Sequence, residues 1–96
     1  MSYVKPDKVI SPKKRWKLDR VLYDGGEAQW SAAEGQWKDD ETWNWALAIR
    51  WNGRTGKKLG QPQSSGYPTW LIVPDKLVGV VQAVIDLLLE NEKKHV

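Results

Sequence analysis

Thr42-Trp43-Asn44-Trp45-Ala46-Leu47-Ala48-Ile49-Arg50-Trp51-Asn52-Gly53 is the stretch whose reading decides the fold. Successive side chains of a β-strand point to opposite faces, and this stretch alternates with that period. Trp43, Trp45, Leu47, Ile49 and Trp51 share one face; Asn44, Ala46, Ala48, Arg50 and Asn52 share the other. The first face is expected to be mostly core. The second, polar and small apart from Arg50, is expected to be a solvated or ligand-bearing sheet face. Asn52-Gly53 then ends the strand with a left-handed turn.

Working back toward the N-terminus, Asp39-Asp40-Glu41 supplies a turn, and a strand from about Ala28 to Trp37 precedes it. Its small residues beside large indoles make a surface on which another chain or ring can lie, and Gly35 marks a bulge or a close backbone approach. Asp24-Gly25-Gly26-Glu27 provides the positive φ angles of a tight hairpin to a first strand over 16–23, where Trp16, Leu18 and Leu22 share a face. Residues 1–15 read as a flexible basic arm. Pro6 and Pro12 break any helix, Lys5, Lys8, Lys13, Lys14 and Arg15 solvate it, and only Val9 and Ile10 could anchor it.

Toward the C-terminus, residues 53–68 show no apolar periodicity and are rich in Gly, Pro, Gln and Ser. A loop of that length inside a compact domain is a candidate site. Thr69–Val73 reads as a short fourth strand, and Pro74-Asp75 starts a helix with Asp75 as its cap. Leu77, Val78, Val81, Val84, Ile85 and Leu88 fall at helical spacing, while Val80, Leu87 and Leu89 lie off that stripe. A helix so widely apolar has more to bury than one small sheet can cover. A homodimer is therefore expected, with Leu77, Val80, Val81, Val84, Leu87 and Leu88 at its interface. Gly79, costly inside a helix, would be explained by close packing on another backbone. The fold class is α+β: a four-stranded antiparallel twisted sheet followed by one long C-terminal helix, a single domain over 16–93 with a frayed tail at 94–96.

Composition bounds the function. The chain has 96 residues, no cysteine, seven tryptophans and no phenylalanine. It is one domain of ordinary globular composition. With no long apolar run and no cysteine, a cytoplasmic protein without disulfides or thiolate metal sites is expected. Net charge is +3 but unevenly spread: residues 42–74 hold Arg50, Arg54, Lys57 and Lys58 with no acid, while Glu27, Glu34, Asp39, Asp40 and Glu41 oppose only Lys38, so one end of the sheet is expected to be acidic. Such polarity steers an anionic ligand to one side or sets contacts between copies.

Ala46-Leu47-Ala48-Ile49-Arg50-Trp51 ahead of a basic Gly-rich loop, then Pro68-Thr69-Trp70-Leu71-Ile72-Val73-Pro74 running into a long helix, resembles the positive-cofactor-four and Whirly superfamily. The resemblance covers 16–90, mainly as element order. It implies single-stranded DNA binding by a homodimer whose helices pack between protomers and whose curved sheets form a groove. Arg50-Trp51-Asn52-Gly53 and Pro62-Gln63-Ser64-Ser65-Gly66-Tyr67-Pro68-Thr69-Trp70 also resemble a small bacterial family of the mobile gene-cassette type, which implies no activity.

Bases stack on aromatic faces for about 1–3 kcal/mol each, and a basic groove follows the phosphates. Tyr23, Trp30 and Trp37 are the stacking candidates, and Arg20, Arg50, Arg54, Lys57 and Lys58 the phosphate contacts. Catalysis is not expected. The single histidine, His95, sits in the tail, the acids at 39–41 are turn acids, and no strand-to-helix phosphate loop is present. No cofactor and no metal are expected. A protein- or peptide-interaction module without nucleic-acid binding is the alternative, since Trp, Tyr and Arg also dominate protein interfaces.

Overall fold

The computed structural model describes residues 4–55 and 58–94. Three long antiparallel strands form its frame: β1 (Trp16–Asp24), β2 (Trp30–Asp39) and β3 (Thr42–Arg54). The outer edge of β3 is shared by two shorter strands placed end to end. β4 (Lys58–Gln61) pairs Trp51 with Gln61, Asn52 with Gly60 and Arg54 with Lys58, whereas β7 (Leu71–Ile72) pairs with Ala48 and Ile49. Between them, β5 (Gln63–Ser64) and β6 (Tyr67–Pro68) form a small hairpin. The chain ends in α1 (Asp75–Lys94). The four-stranded antiparallel sheet with a C-terminal helix is therefore present, but its fourth strand begins inside the segment expected to be a loop.

β1 carries two register shifts against β2, between Leu18 and Arg20 and between Val21 and Tyr23. Each slips the alternation by one residue, which is why its sequence periodicity is weak. Gly35 does mark a close approach: a Cβ there would lie 2.2 Å from the Lys17 carbonyl and 2.8 Å from the Trp16 ring. The Trp16 ring thus reaches over β2 where a side chain is missing.

Two apolar clusters sandwich the sheet. On one face Ala33, Ala46 and Ala48 are covered by Val9, Trp16 and Trp70, with Trp37 and Ile72 packed at the margin. On the other, Ala32 and Leu47 meet Val73 and Ile85, with Val78, Val81 and Leu89 of α1 packed around them. The face of β3 expected to be solvated is accordingly buried from Ala46 to Asn52, because its alanines leave the depth that two large indoles fill, while Asn44 is exposed. The expected core face is only half covered: Trp45 is 52% exposed and Trp51 59%.

The basic arm is also corrected. A single 3-10 turn over Pro6–Lys8 leads Val9 into the alanine-side core, where its carbonyl accepts a 2.7 Å hydrogen bond from Trp70 Nε1. Ser11 bridges Thr69. The prolines direct the segment, and the lysines stay outside while Val9 anchors it.

Along α1, Ile85 is buried and Val78, Val81, Leu88 and Leu89 are half-buried, while Leu77, Val80, Val84 and Leu87 are exposed. Their spacing of three, four and three residues makes a second stripe next to the buried one. Gly79 faces open space, so no backbone of this chain explains it. Among the described residues no helix is long and apolar enough to cross a membrane.

Candidate functional site

Length decides which residues stay uncovered. A thirteen-residue strand spans about 43 Å at about 3.3 Å per residue, and a twenty-residue helix about 30 Å. α1 packs on the face at Ala32 and Leu47 through Ile85, and Trp45 and Trp51 toward the two ends of β3 remain more than half exposed. Trp51 stands at one end and Trp45 at the other.

At the Trp51 end, strand register sets Trp30 directly across from Trp51 on the same face. Tyr23 packs against Trp30, ring centroids 5.0 Å apart and tilted by 42°. Trp30, Ile49, Trp51, Gln61, Pro62 and Leu71 enclose an apolar hollow of about 350 Å³. A second hollow, also bounded by Trp51 and Gln61, runs along Asn52, Gly53, Arg54 and Gly60. Trp51 is thus a half-exposed indole between two depressions, with the exposed Arg54 three residues on. Gly60 keeps this geometry possible: its φ is +87°, and a Cβ would lie 2.1 Å from the Trp51 carbonyl.

Arg50 holds the wall of the hollow. Its guanidinium donates to the carbonyls of Leu59 (2.6 Å), Thr69 and Pro62 (3.4 Å) and is 3% exposed. Three acceptors from a loop that has no periodicity converge on one cation, which is how the irregular 59–70 segment is fixed to the sheet. Arg50 is therefore a structural clamp and does not face a phosphate, contrary to the expectation from sequence. Asn52 does similar work on the other side of β3, toward the β1–β2 turn, donating from Nδ2 to Gly26 O (2.8 Å) and Ser31 Oγ (2.7 Å).

The other candidates divide between the two ends. Tyr23 and Trp30 belong to the Trp51 end. Trp37 pairs with Asn44 at the far end and lies on the opposite face, packed against the alanine-side core with the Arg15 guanidinium 5.9 Å from its ring centroid. Trp30 and Trp37 cannot form one platform. Arg20 is committed to Glu34 in an ion pair near mid-sheet. Arg54 pairs by backbone with Lys58, and Lys57 lies outside the described residues. Two acids reach this end: Glu27, which accepts from Thr55 Oγ1, and Asp24, whose Oδ1 accepts from the Gly26 N–H, Ser31 Oγ and Asn52 Nδ2.

At the opposite end Trp45 donates from Nε1 to Glu34 Oε1 (3.0 Å). That bond, and the Arg20 guanidinium on the other carboxylate oxygen, hold the Glu34 carboxyl below its ordinary pKa. Lys17 Nζ stands 4.3 Å from the Trp43 ring centroid and Lys38 Nζ 6.0 Å from it. Among the described residues no cluster of His, Asp or Glu has the form of a metal site.

Sequence reasoning placed Gln61 and Pro62 in the candidate loop at 53–68, but it assigned Trp51 to the core and missed Leu71. The available cue was position: Trp51 sits two residues before Gly53, at the end of a strand too long for the helix to cover. No family model, curated protein or solved structure matches this chain.

Proposed function

We propose that this chain is a non-catalytic cytoplasmic module that binds single-stranded DNA or RNA at the Trp51 end of its sheet. One observation carries the reading: a half-exposed Trp51, set across from Trp30 over an apolar hollow, with Arg54 lining the second hollow on the other side of Trp51, in a stretch free of acids from 42 to 74. An unpaired base is a planar apolar ring on an anionic tether. An indole platform with a guanidinium beside it matches both parts, and Gln61 offers an amide to a base edge.

The test is a titration of fluorescein-labelled oligo-dT followed by anisotropy at low salt. Micromolar or tighter binding that weakens steeply as salt rises is expected. Folded protein that fails to bind at low salt sinks the reading.

A second reading rests on the exposed stripe Leu77, Val80, Val84 and Leu87. These residues would pair α1 with α1 of a second copy at coiled-coil spacing, giving a homodimer. A dimer in sedimentation at tens of micromolar supports it, and a monomer there contradicts it. If the protein dimerises and binds no oligonucleotide, the chain is a protein-interaction module.

A further inference from the structure

The Trp45 end of β3 has an open strand edge. Leu47 gives its carbonyl outward to the Val73 N–H (2.8 Å), whereas the Asn52 N–H turns inward to Gln29 O (2.7 Å). Alternation along an antiparallel strand then turns the N–H and C=O groups of Trp43 and Trp45 outward with those of Leu47. β7 reaches only Ala48 and Ile49, and β4 begins its pairing at Trp51. Among the described residues no strand pairs with the outer edge at 43–46.

Open edges are normally blunted by proline, lysine or a covering loop. This one carries indoles. A hollow of about 350 Å³ runs beside it, bounded by Trp37 from one sheet face, Trp45 and Val78 from the other, and the exposed carboxylates of Asp39 and Asp75. The turn acids Asp40 and Glu41 lie just beyond. Trp43, at the same end, already has Lys17 and Lys38 of its own chain near its ring.

We propose that this edge receives an extended peptide segment bearing lysine or arginine, added to β3 as a further antiparallel strand. The outward groups of Trp43 and Trp45 supply the ladder. Alternate side chains of the peptide lie on Trp45 and Trp37, and its cations face Asp39 and Asp75. Charge complementarity selects such a segment over an acidic one, and backbone pairing selects an extended one over a helix. The site lies at the opposite end of the sheet from Trp51, so it is independent of nucleic-acid binding.

The probe is a capped nine-residue peptide alternating lysine and valine, titrated at low salt, with amide hydrogen exchange of the full chain as second readout. The expected result is binding that protects the Trp43 and Trp45 amides. Methylating alternate peptide nitrogens is expected to weaken it about tenfold or more, since two ladder hydrogen bonds are lost. Glutamate in place of lysine is expected to weaken it similarly. The double variant D39N/D75N is expected to bind several-fold less well, and W51A as well as the parent. Absence of binding overturns the proposal, as does equal binding of the methylated peptide or a bound state that leaves both amides unprotected. Protection of these amides that grows with protein concentration alone assigns the edge to a second copy and also overturns it.

Discussion

Trp45 and Trp51 lie on the same face of the same strand, six residues apart and nearly equally exposed, yet their surroundings differ in kind. Trp45 has its N–H spent on Glu34 and stands among carboxylates beside an unpaired edge. Trp51 stands by Trp30 over an apolar hollow, its edge filled by β4 and the exposed Arg54 three residues on. An indole's role here is set by what the neighbouring strand brings to it: an acid on β2 at one end, and a clamped loop at the other.

The most forceful way to break that contrast is Arg50→Ala. It leaves the carbonyls of Leu59 and Thr69 buried without their cation, a loss of about 3 kcal/mol for charge-assisted bonds of this kind. Thermal or urea unfolding should show that loss. Oligo-dT affinity should fall with it as the Gln61-Pro62 wall loosens, while hydrogen exchange at Trp45 stays as it was.

Trp51→Ala tests the stacking role directly. Oligo-dT affinity should drop by about 1–3 kcal/mol, the worth of one stacked base, with little change in unfolding because the side chain is largely exposed. Trp45→Ala should leave that affinity within about twofold, being remote from the hollow. Equal losses from the two variants would erase the distinction between the ends.

Replacing Val80 and Val84 together with glutamate asks whether the ends act across two copies. Four like charges on facing stripes should weaken self-association by about tenfold or more in sedimentation, with unfolding of the monomer little affected. An oligonucleotide long enough to span both Trp51 corners should then lose more affinity than a short one.

The smallest expected effect lies at Glu34. Its pKa is depressed in the folded chain, so its contribution to stability is present above the ordinary carboxylate pKa of about 4.3 and fades as pH falls through the lower folded value. Glu34→Gln should remove that part of the acid-side decline. The difference at neutral pH should be about 0.5 kcal/mol, because Arg20 is largely exposed and screened. Trp45 emission should shift as its N–H partner changes.

Much of the fold was legible in the sequence: the β3 alternation, the β1–β2 hairpin and the helical stripe all have local causes, although the hairpin's connection runs over 25–29 with positive φ at Gly26 and Ala28, longer than the tight turn expected at 24–27. The faces of β3 were not. Size was taken for burial, yet in a sheet covered on both sides the small residues are where large groups from elsewhere come to rest, as Trp16 and Trp70 do on Ala33, Ala46 and Ala48. Arg50 was unreadable for a related reason. Its partners are backbone carbonyls nine to nineteen residues away, and carbonyls carry no mark in the sequence. The strand within 58–61 was hidden because glycine and lysine have low strand propensity and its pairing with β3 alone makes it a strand. The basic loop and Tyr23-Trp30 were singled out from the sequence, and Trp37 was grouped with Trp30 as a stacking candidate although the alternation of β2 alone puts the two on opposite faces.

The hydrogen bond from Trp70 to the Val9 carbonyl joins positions 61 residues apart, and it closes the alanine side of the sheet. During synthesis the chain therefore cannot seal that side until its seventieth residue has left the ribosome. Before then β1, β2 and β3 can pair, with Trp16 alone on a sheet whose other indole is still to come. Long-range closure of this sort slows folding and lengthens the exposure of an apolar strand surface. The alanines and Gly35 soften that hazard, since a half-built sheet faced with small side chains offers a passing chain little to grip.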